Sequence, residues 1–142
     1  MQKLESIQAG SWYMGRLSYN TDLLDALTEM CRKHSVTLGR VEAIGALQKA
    51  RLGYYDQQSR QYQFLVWEKG MEITSLMGNI SLKEGEPMVH AHLTLADEAG
   101  RTYGGHLARG CHVFACEFIL QAFSGPDLVR SYDERTGLPL WT

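Results

Sequence analysis

Residues 88–107 have the sequence MVHAHLTLADEAGRTYGGHL, and this stretch decides how the rest of the chain is interpreted. Apolar residues occupy alternate positions from Val89 to Leu95, which is the period of a half-buried β-strand. His90 and His92 therefore share the opposite face, at a spacing that lets two imidazoles converge on one metal ion. The pattern predicts a strand with one face in the core and a histidine pair on the other.

A third histidine joins the pair if the chain turns back as a hairpin. A three-residue loop over Glu98–Gly100, with its glycine in the left-handed conformation, pairs His92 with His106 and puts all three histidines on one face. A four-residue loop places His106 opposite Ala91 instead. A bulge at Gly104–Gly105 would shift the register again, so the two alternatives stay open at this point.

Three histidines with an open fourth position are typical of catalytic-type zinc sites, because neutral imidazole suits a borderline cation. We therefore expect His90, His92 and His106 to bind one divalent metal ion, with zinc as the default. The competing interpretation is a solvated strand face that carries its histidines by chance.

Two further polar residues lie in the apolar strand predicted over Cys111–Phe123. Glu117 is on the face opposite Phe118, where a carboxylate could be a second-shell partner of a histidine or a general base; a plain surface position is the alternative. His112 alternates with Phe114 and Phe118, which predicts a histidine at the start of the strand, over the core, and not a metal ligand.

One segment, Asn20–Ser35, has helical periodicity. Its apolar residues recur at spacings of one, three and four: Leu23, Leu24, Leu27, Met30 and Cys31. Asn20 or Thr21 is suited to cap its start, and basic residues follow in the last turn. The pattern predicts an amphipathic helix lying on a sheet.

The rest of the chain is rich in strand-forming residues between turns. The expected strands are Ser11–Tyr19, Val36–Tyr55, Tyr62–Glu68, Glu72–Leu82, Met88–Asp97, Thr102–Leu107, Cys111–Phe123 and Leu128–Tyr132. The second is too long for one strand, and Gly39, Gly45 and Gly53 predict bends, bulges or a break. We expect one α+β domain over residues 1–142, with a mixed, mostly antiparallel sheet and one or two helices.

Composition narrows the class of function. The chain has 142 residues and a formal net charge of −2, from 14 Lys and Arg against 16 Asp and Glu. This balance provides no basic field for nucleic acid, so any DNA binding is expected to be weak. No apolar run has the length of a membrane helix, and the start lacks a signal-peptide pattern. Three cysteines, an odd number, favour a reducing cytoplasm over a disulfide framework.

Several short motifs occur in an order that resembles a known family. They are AIGAL at 43–47, LGYYD at 52–56, EITSLMGNIS at 72–81, HAH at 90–92, GGHL at 104–107 and EF at 117–118. The chain resembles the PPC domain (plants and prokaryotes conserved, also called domain of unknown function 296), and the likeness covers almost its whole length.

The resemblance implies a homotrimer with a histidine-lined site that can hold a metal. In plants this domain is similar to the C-terminal half of AT-hook nuclear proteins, whose DNA contact comes from a separate Arg-Gly-Arg-Pro hook. This sequence has no such hook. The expected function is therefore a homotrimeric binding or regulatory module, which can also carry a small-molecule ligand, and the label DNA-binding would come by homology alone.

The alternative is a metal-dependent small-molecule enzyme, a lyase or a hydrolase, at the same three histidines. An enzyme needs a general acid or base within reach of the metal, and no second ionisable group is clearly placed there. We favour the binding module.

Overall fold

The computed structural model describes residues 2–142. That part of the chain forms nine strands and one helix. In chain order they are β1 (Gln8–Leu17), α1 (Leu23–Lys33), β2 (Gly39–Asp56), β3 (Gln61–Trp67), β4 (Met71–Lys83), β5 (Glu86–Ala96), β6 (Thr102–Leu107), β7 (His112–Ser124), β8 (Arg130–Asp133) and β9 (Leu138–Trp141).

Seven strands form one sheet in the order β1-β7-β2-β4-β5-β6, and β3 pairs with the distal half of β2. Near Gly53, β2 also pairs with β6, so β2, β4, β5 and β6 close into a ring. All of these ladders are antiparallel. A parallel bridge joins Leu82 to Val129. The fold is therefore α+β with a mostly antiparallel sheet, as predicted.

The helix packs its apolar stripe against the sheet, because Leu23, Leu27 and Cys31 are buried in the same core as the alternating residues of β5. Its start differs from the prediction. Asp22, and neither Asn20 nor Thr21, is the N-cap, and its side chain accepts a hydrogen bond from the Asp25 N–H at 3.1 Å. Asn20 has a φ of 62°, which places it in the turn before the helix.

The long second strand is continuous. β2 runs for 18 residues and changes partners along its length, from β4 and β7 in its first half to β3 in its second. The predicted irregularity lies at Gly45, where the register with β4 shifts between Ala43 and Gly45. A bulge therefore bends this strand, and no break occurs.

The C-terminal residues form a small hairpin that the sequence did not predict in full. The pattern indicated a single strand at Leu128–Tyr132, whereas Arg130–Asp133 pairs with the additional strand Leu138–Trp141. The hairpin lies against β4, since the Leu82 N–H donates to the Leu128 carbonyl at 2.9 Å.

In residues 2–142, α1 is the one α-helix, and at 11 residues it is too short to cross a bilayer.

Candidate metal centre

The β5–β6 hairpin has a three-residue loop, which is one of the two alternatives that the sequence left open. The Asp97 N–H donates to the Arg101 carbonyl at 3.0 Å, and Gly100 has a φ of 74°. His92 consequently lies directly opposite His106. The three-residue alternative is confirmed and the four-residue alternative is wrong.

The Gly104–Gly105 pair does not form the bulge that the sequence allowed. The ladder with β5 runs through both glycines without a shift, pairing Thr94 with Gly104 and Leu93 with Gly105. A Cβ atom on Gly105 would lie 2.9 Å from the Gly53 carbonyl oxygen. Gly105 is thus what lets β6 approach β2 closely at the level of His106.

The three imidazoles form a compact triangle. Their ring centroids are 5.3 Å apart for His90 and His92, 5.2 Å for His90 and His106, and 5.4 Å for His92 and His106. One nitrogen of each ring lies within 4.8 Å of the others. Zn–N bonds of about 2.0–2.1 Å in a tetrahedron imply N–N distances of roughly 3.3 Å, so small inward ring rotations would complete the site.

The environment favours neutral histidines. Burial, and then the positive charges that His90 and His92 would carry, lower the pKa of His106 from 6.5 to about 4. Burial, with Arg130 and His92, also lowers the pKa of His90. Because metal binding requires unprotonated imidazole, these residues are in the form that binds metal at neutral pH.

One buried atom in the triangle lacks a partner. His106 Nδ1 is inaccessible to solvent and has no hydrogen-bond partner among residues 2–142. An unpaired buried polar atom is costly, and a metal ion bound at this nitrogen would satisfy it. The residues present therefore fit a metal ion, while the exposure of His92 keeps one side of the triangle open to solvent.

Aromatic side chains border the triangle on one side, and a guanidinium borders it on the other. The Tyr62 ring is 5.0 Å from the His106 ring, and Tyr62 is itself 5.1 Å from Tyr55. On the other side, a guanidinium Nη2 of Arg130 is 3.5 Å from His90 Nδ1. Sequence reasoning missed Arg130, which comes from the C-terminal hairpin and follows no pattern that links it to His90.

Glu117 does not join the histidines within one chain. It is on the same outer face of the sheet, but its strand β7 is separated from β5 by β2 and β4. Three interstrand steps of about 4.8 Å place it roughly 14 Å or more from the histidine strand. Glu117 instead lines a cavity of about 350 Å³ on the outer face, beside Glu42 and Met77.

The two other histidines are remote from the triangle. His34 is the C-cap of α1, with its ring 4.7 Å from Tyr13. His112 begins β7, but it is exposed, so its predicted place over the core is wrong. The reason is a bulge in β7, where the register with β2 shifts around Phe114 and reverses the alternation.

Solved structures similar to this chain support the same fold. A metal-containing protein, AF0104 from Archaeoglobus fulgidus, is 37% identical, with a TM-score of 0.94 and 99% of each chain covered. A PPC protein from Pyrococcus horikoshii is 33% identical, with a TM-score of 0.93 and coverage of 99% of this chain and 97% of that one. A candidate DNA-binding protein from Bacteroides thetaiotaomicron is 25% identical, with a TM-score of 0.87, over 99% of this chain and 98% of that one.

Among curated proteins, the chain is 36% identical over 113 residues to the bifunctional protein GlmU of Synechococcus sp. strain JA-3-3Ab. The match covers 79% of this chain but only 17% of GlmU, so the chain spans about a sixth of that relative. The model of the Plants and Prokaryotes Conserved domain, abbreviated PCC or PPC, matches residues 4–124. The chain belongs to this family.

Proposed function

We propose that this protein is a PPC-domain binding module in which His90, His92 and His106 hold one divalent transition-metal ion, zinc by default. The observation that carries the proposal is the triangle of imidazoles on one face of the β5–β6 hairpin. The 37% identical Archaeoglobus protein is described as metal-containing, which supports the same assignment here. The open side of the triangle would take water or a small ligand.

A binding role fits the donor set better than catalysis does. Among residues 2–142, no Asp, Glu or Cys joins the three histidines in a metal-binding group. Within this group the described residues supply imidazoles alone, with no carboxylate among the ligands to act as general base. The exposure of His92 favours a second candidate, a metal-dependent lyase or hydrolase that uses the open position, with a partner subunit supplying the missing acid or base.

Self-association as a homotrimer is the second part of the proposal. The outer face of the sheet exposes large apolar side chains: Met14 is 82% exposed, Met77 65% and Ile44 58%. These three residues line the same 350 Å³ cavity as Glu42 and Glu117. A cluster of large exposed apolar side chains of this kind typically marks a protein interface.

DNA binding by this chain alone is proposed to be weak and non-specific. The Bacteroides neighbour is named as a candidate DNA-binding protein. The 14 basic and 16 acidic residues of this chain nevertheless predict only ordinary non-specific affinity, roughly micromolar to sub-millimolar, that falls as salt rises. The compartment that we propose is the reducing cytoplasm, consistent with the buried free thiols of Cys31, Cys111 and Cys116.

Metal titration tests the site. Calorimetry with Zn²⁺ on untagged, chelator-treated protein should give one tight site per chain. His106→Ala should weaken it at least about a hundredfold, because even outer-shell changes cost ten- to a hundredfold. The matched control, His112→Ala, should bind like the wild type. Equal loss in both variants, or no binding at all, would refute the site.

Sedimentation tests the assembly. The wild type should sediment as a trimer at micromolar concentration. Met77→Lys, which puts a charge on the outer face, should shift it toward the monomer, whereas Lys83→Glu at the end of β4 should not. A monomeric wild type would contradict this part of the proposal.

A further inference from the structure

Arg130 is a buried cation without an ionic partner. It is 8% exposed, and none of the ion pairs among residues 2–142 includes it. Burial lowers its pKa, and no carboxylate opposes that effect. A guanidinium in this position is costly unless an anion compensates it.

The hydrogen bonds of Arg130 leave some N–H groups of its guanidinium unused. Nε donates to Ser81 Oγ at 2.8 Å, Nη1 to the Pro139 carbonyl at 3.0 Å and Nη2 to Asn79 Oδ1 at 2.8 Å. These three bonds use three of the five N–H groups of a guanidinium. One N–H on Nη1 remains, and the second on Nη2 faces His90 Nδ1 at 3.5 Å.

This contact places Arg130 at the edge of the histidine triangle. A neutral imidazole has one unprotonated nitrogen, which either accepts a hydrogen bond or binds a metal. With a metal on His90, the Nη2 N–H that faces Nδ1 would therefore have no acceptor in that ring and would be free for a ligand.

A cavity of about 310 Å³ adjoins the guanidinium. It is lined by Lys3, Asn79, Arg130, Leu140 and Trp141. The Trp141 indole N–H is buried and has no acceptor among residues 2–142, and its ring is 5.2 Å from the guanidinium carbon. Lys3 pairs with Glu5 at 3.2 Å. The lining thus offers one guanidinium without an ionic partner and one unused N–H donor, which is the chemistry that recognises an oxyanion.

We infer that Arg130 is the oxyanion-recognition residue of the histidine site and that the ligand of this site is a small carboxylate or phosphate. One oxygen would occupy the open side of the metal held by His90, His92 and His106, and another would accept the free N–H groups of Arg130. This inference rests on the proposed metal site and adds the chemical class of its ligand.

Anion titration of the Co²⁺-loaded protein tests the inference, because visible absorption reports a change of ligand at the ion. Acetate and inorganic phosphate are titrated separately, and their relative affinities show which kind of oxyanion the site takes. Acetamide, a neutral analogue of acetate, is the ligand control. The variants are Arg130→Gln, Arg130→Lys and, as a control with the same change of charge, Arg109→Gln. The Arg109 side chain is 74% exposed and pairs with Asp25.

Arg130→Gln should weaken binding of the preferred anion by about tenfold to a hundredfold, the usual worth of a hydrogen bond to a charged group. Its Co²⁺ affinity should stay within about threefold, because Arg130 is not a metal ligand. Arg130→Lys should recover part of the loss, since lysine keeps the positive charge but lacks the planar set of N–H donors of the guanidinium. Arg109→Gln should match the wild type, and acetamide should have no effect.

Unchanged anion affinity in Arg130→Gln, or a wild-type spectrum that ignores both anions, would overturn the inference and leave the metal site standing. Failure to bind Co²⁺ or Zn²⁺ would overturn both. If Arg130→Gln does not fold, the ¹H–¹⁵N signal of the Arg130 side chain in the metal-loaded wild type decides: it should move when the anion is added, and a stationary signal refutes the role.

Discussion

Two hairpins contribute side chains to the histidine triangle and its border, and their contributions depend on the sequence in different ways. The β5–β6 hairpin contributes all three imidazoles through strand alternation and one tight loop, so residues no more than 16 positions apart determine their arrangement. The β8–β9 hairpin contributes only Arg130, which is 40 positions from His90 in sequence. The difference teaches that a cluster of candidate metal ligands can be determined by local sequence, whereas the position of the charged side chain beside it depends on how a distant hairpin docks.

The largest effect on metal binding is expected from a change in the length of the β5–β6 loop. Inserting one glycine between Ala99 and Gly100 should abolish tight metal binding, because a one-residue slip moves His106 to the opposite face. Calorimetry with Zn²⁺ measures the loss. The same insertion between Arg135 and Thr136, in the other hairpin, should leave metal affinity within a few-fold. Comparable losses from both insertions would show that the two hairpins do not differ as argued.

A smaller effect is expected where β6 approaches β2. In Gly105→Ala the new Cβ would meet the Gly53 carbonyl oxygen at 2.9 Å, so the strands must separate. We expect a loss of about 1–3 kcal/mol in stability, as for other overpacked sites, and weaker metal binding. In Gly104→Ala the nearest atom is 3.4 Å away, so this control should be close to the wild type in urea unfolding. Similar behaviour of the two variants would count against the close approach.

The loop carboxylates provide the next comparison. Asp97 is buried; burial raises its pKa, but hydrogen bonds from Arg101 and Ala99 and the Arg101 guanidinium outweigh it, so the pKa is lowered from 3.8. Because the folded value lies below the unfolded one, the stabilisation is present above pH 3.8 and is lost as pH falls through the folded value.

Asp97→Asn should therefore lower the melting temperature at neutral pH and flatten its decline below about pH 4. Metal affinity should fall only modestly, since the loop itself remains. Asp133→Asn, which removes the carboxylate that holds the β8–β9 turn through Thr136, is the counterpart and should not alter metal affinity. An unchanged pH profile in Asp97→Asn would be evidence that this carboxylate contributes nothing.

A smaller effect on metal affinity than that of Asp97→Asn is expected for Arg130→Met. This change leaves Asn79 and Ser81 without their donor, which should cost about 1–3 kcal/mol in denaturant unfolding. Zn²⁺ affinity should nevertheless stay within about threefold by calorimetry, because the three ligands are untouched. A loss comparable to that of His106→Ala would instead place Arg130 among the determinants of metal binding.

Much of the fold follows from local pattern, as the β5–β6 hairpin illustrates. Alternation from Val89 to Leu95 and the glycine at position 100 are enough to derive the pairing of His92 with His106. The bulge in β7 was not predictable in this way, because the burial of Val113 and the exposure of Phe114 depend on the register with β2. Arg130 carries no periodic signal either, so only the docked hairpin reveals its position.

The pairing of β1 with β7 has a consequence for how the chain is made. Gln8 lies opposite Ser124, and Leu17 opposite Cys116, so the residues that pair β1 with β7 are 99 to 116 positions apart in the sequence. Contacts of such long sequence separation slow folding, and an unpaired strand edge invites association with other chains. During synthesis the sheet therefore stays incomplete until residue 124 has left the ribosome, and we expect nascent chains arrested before β7 to be protease-sensitive.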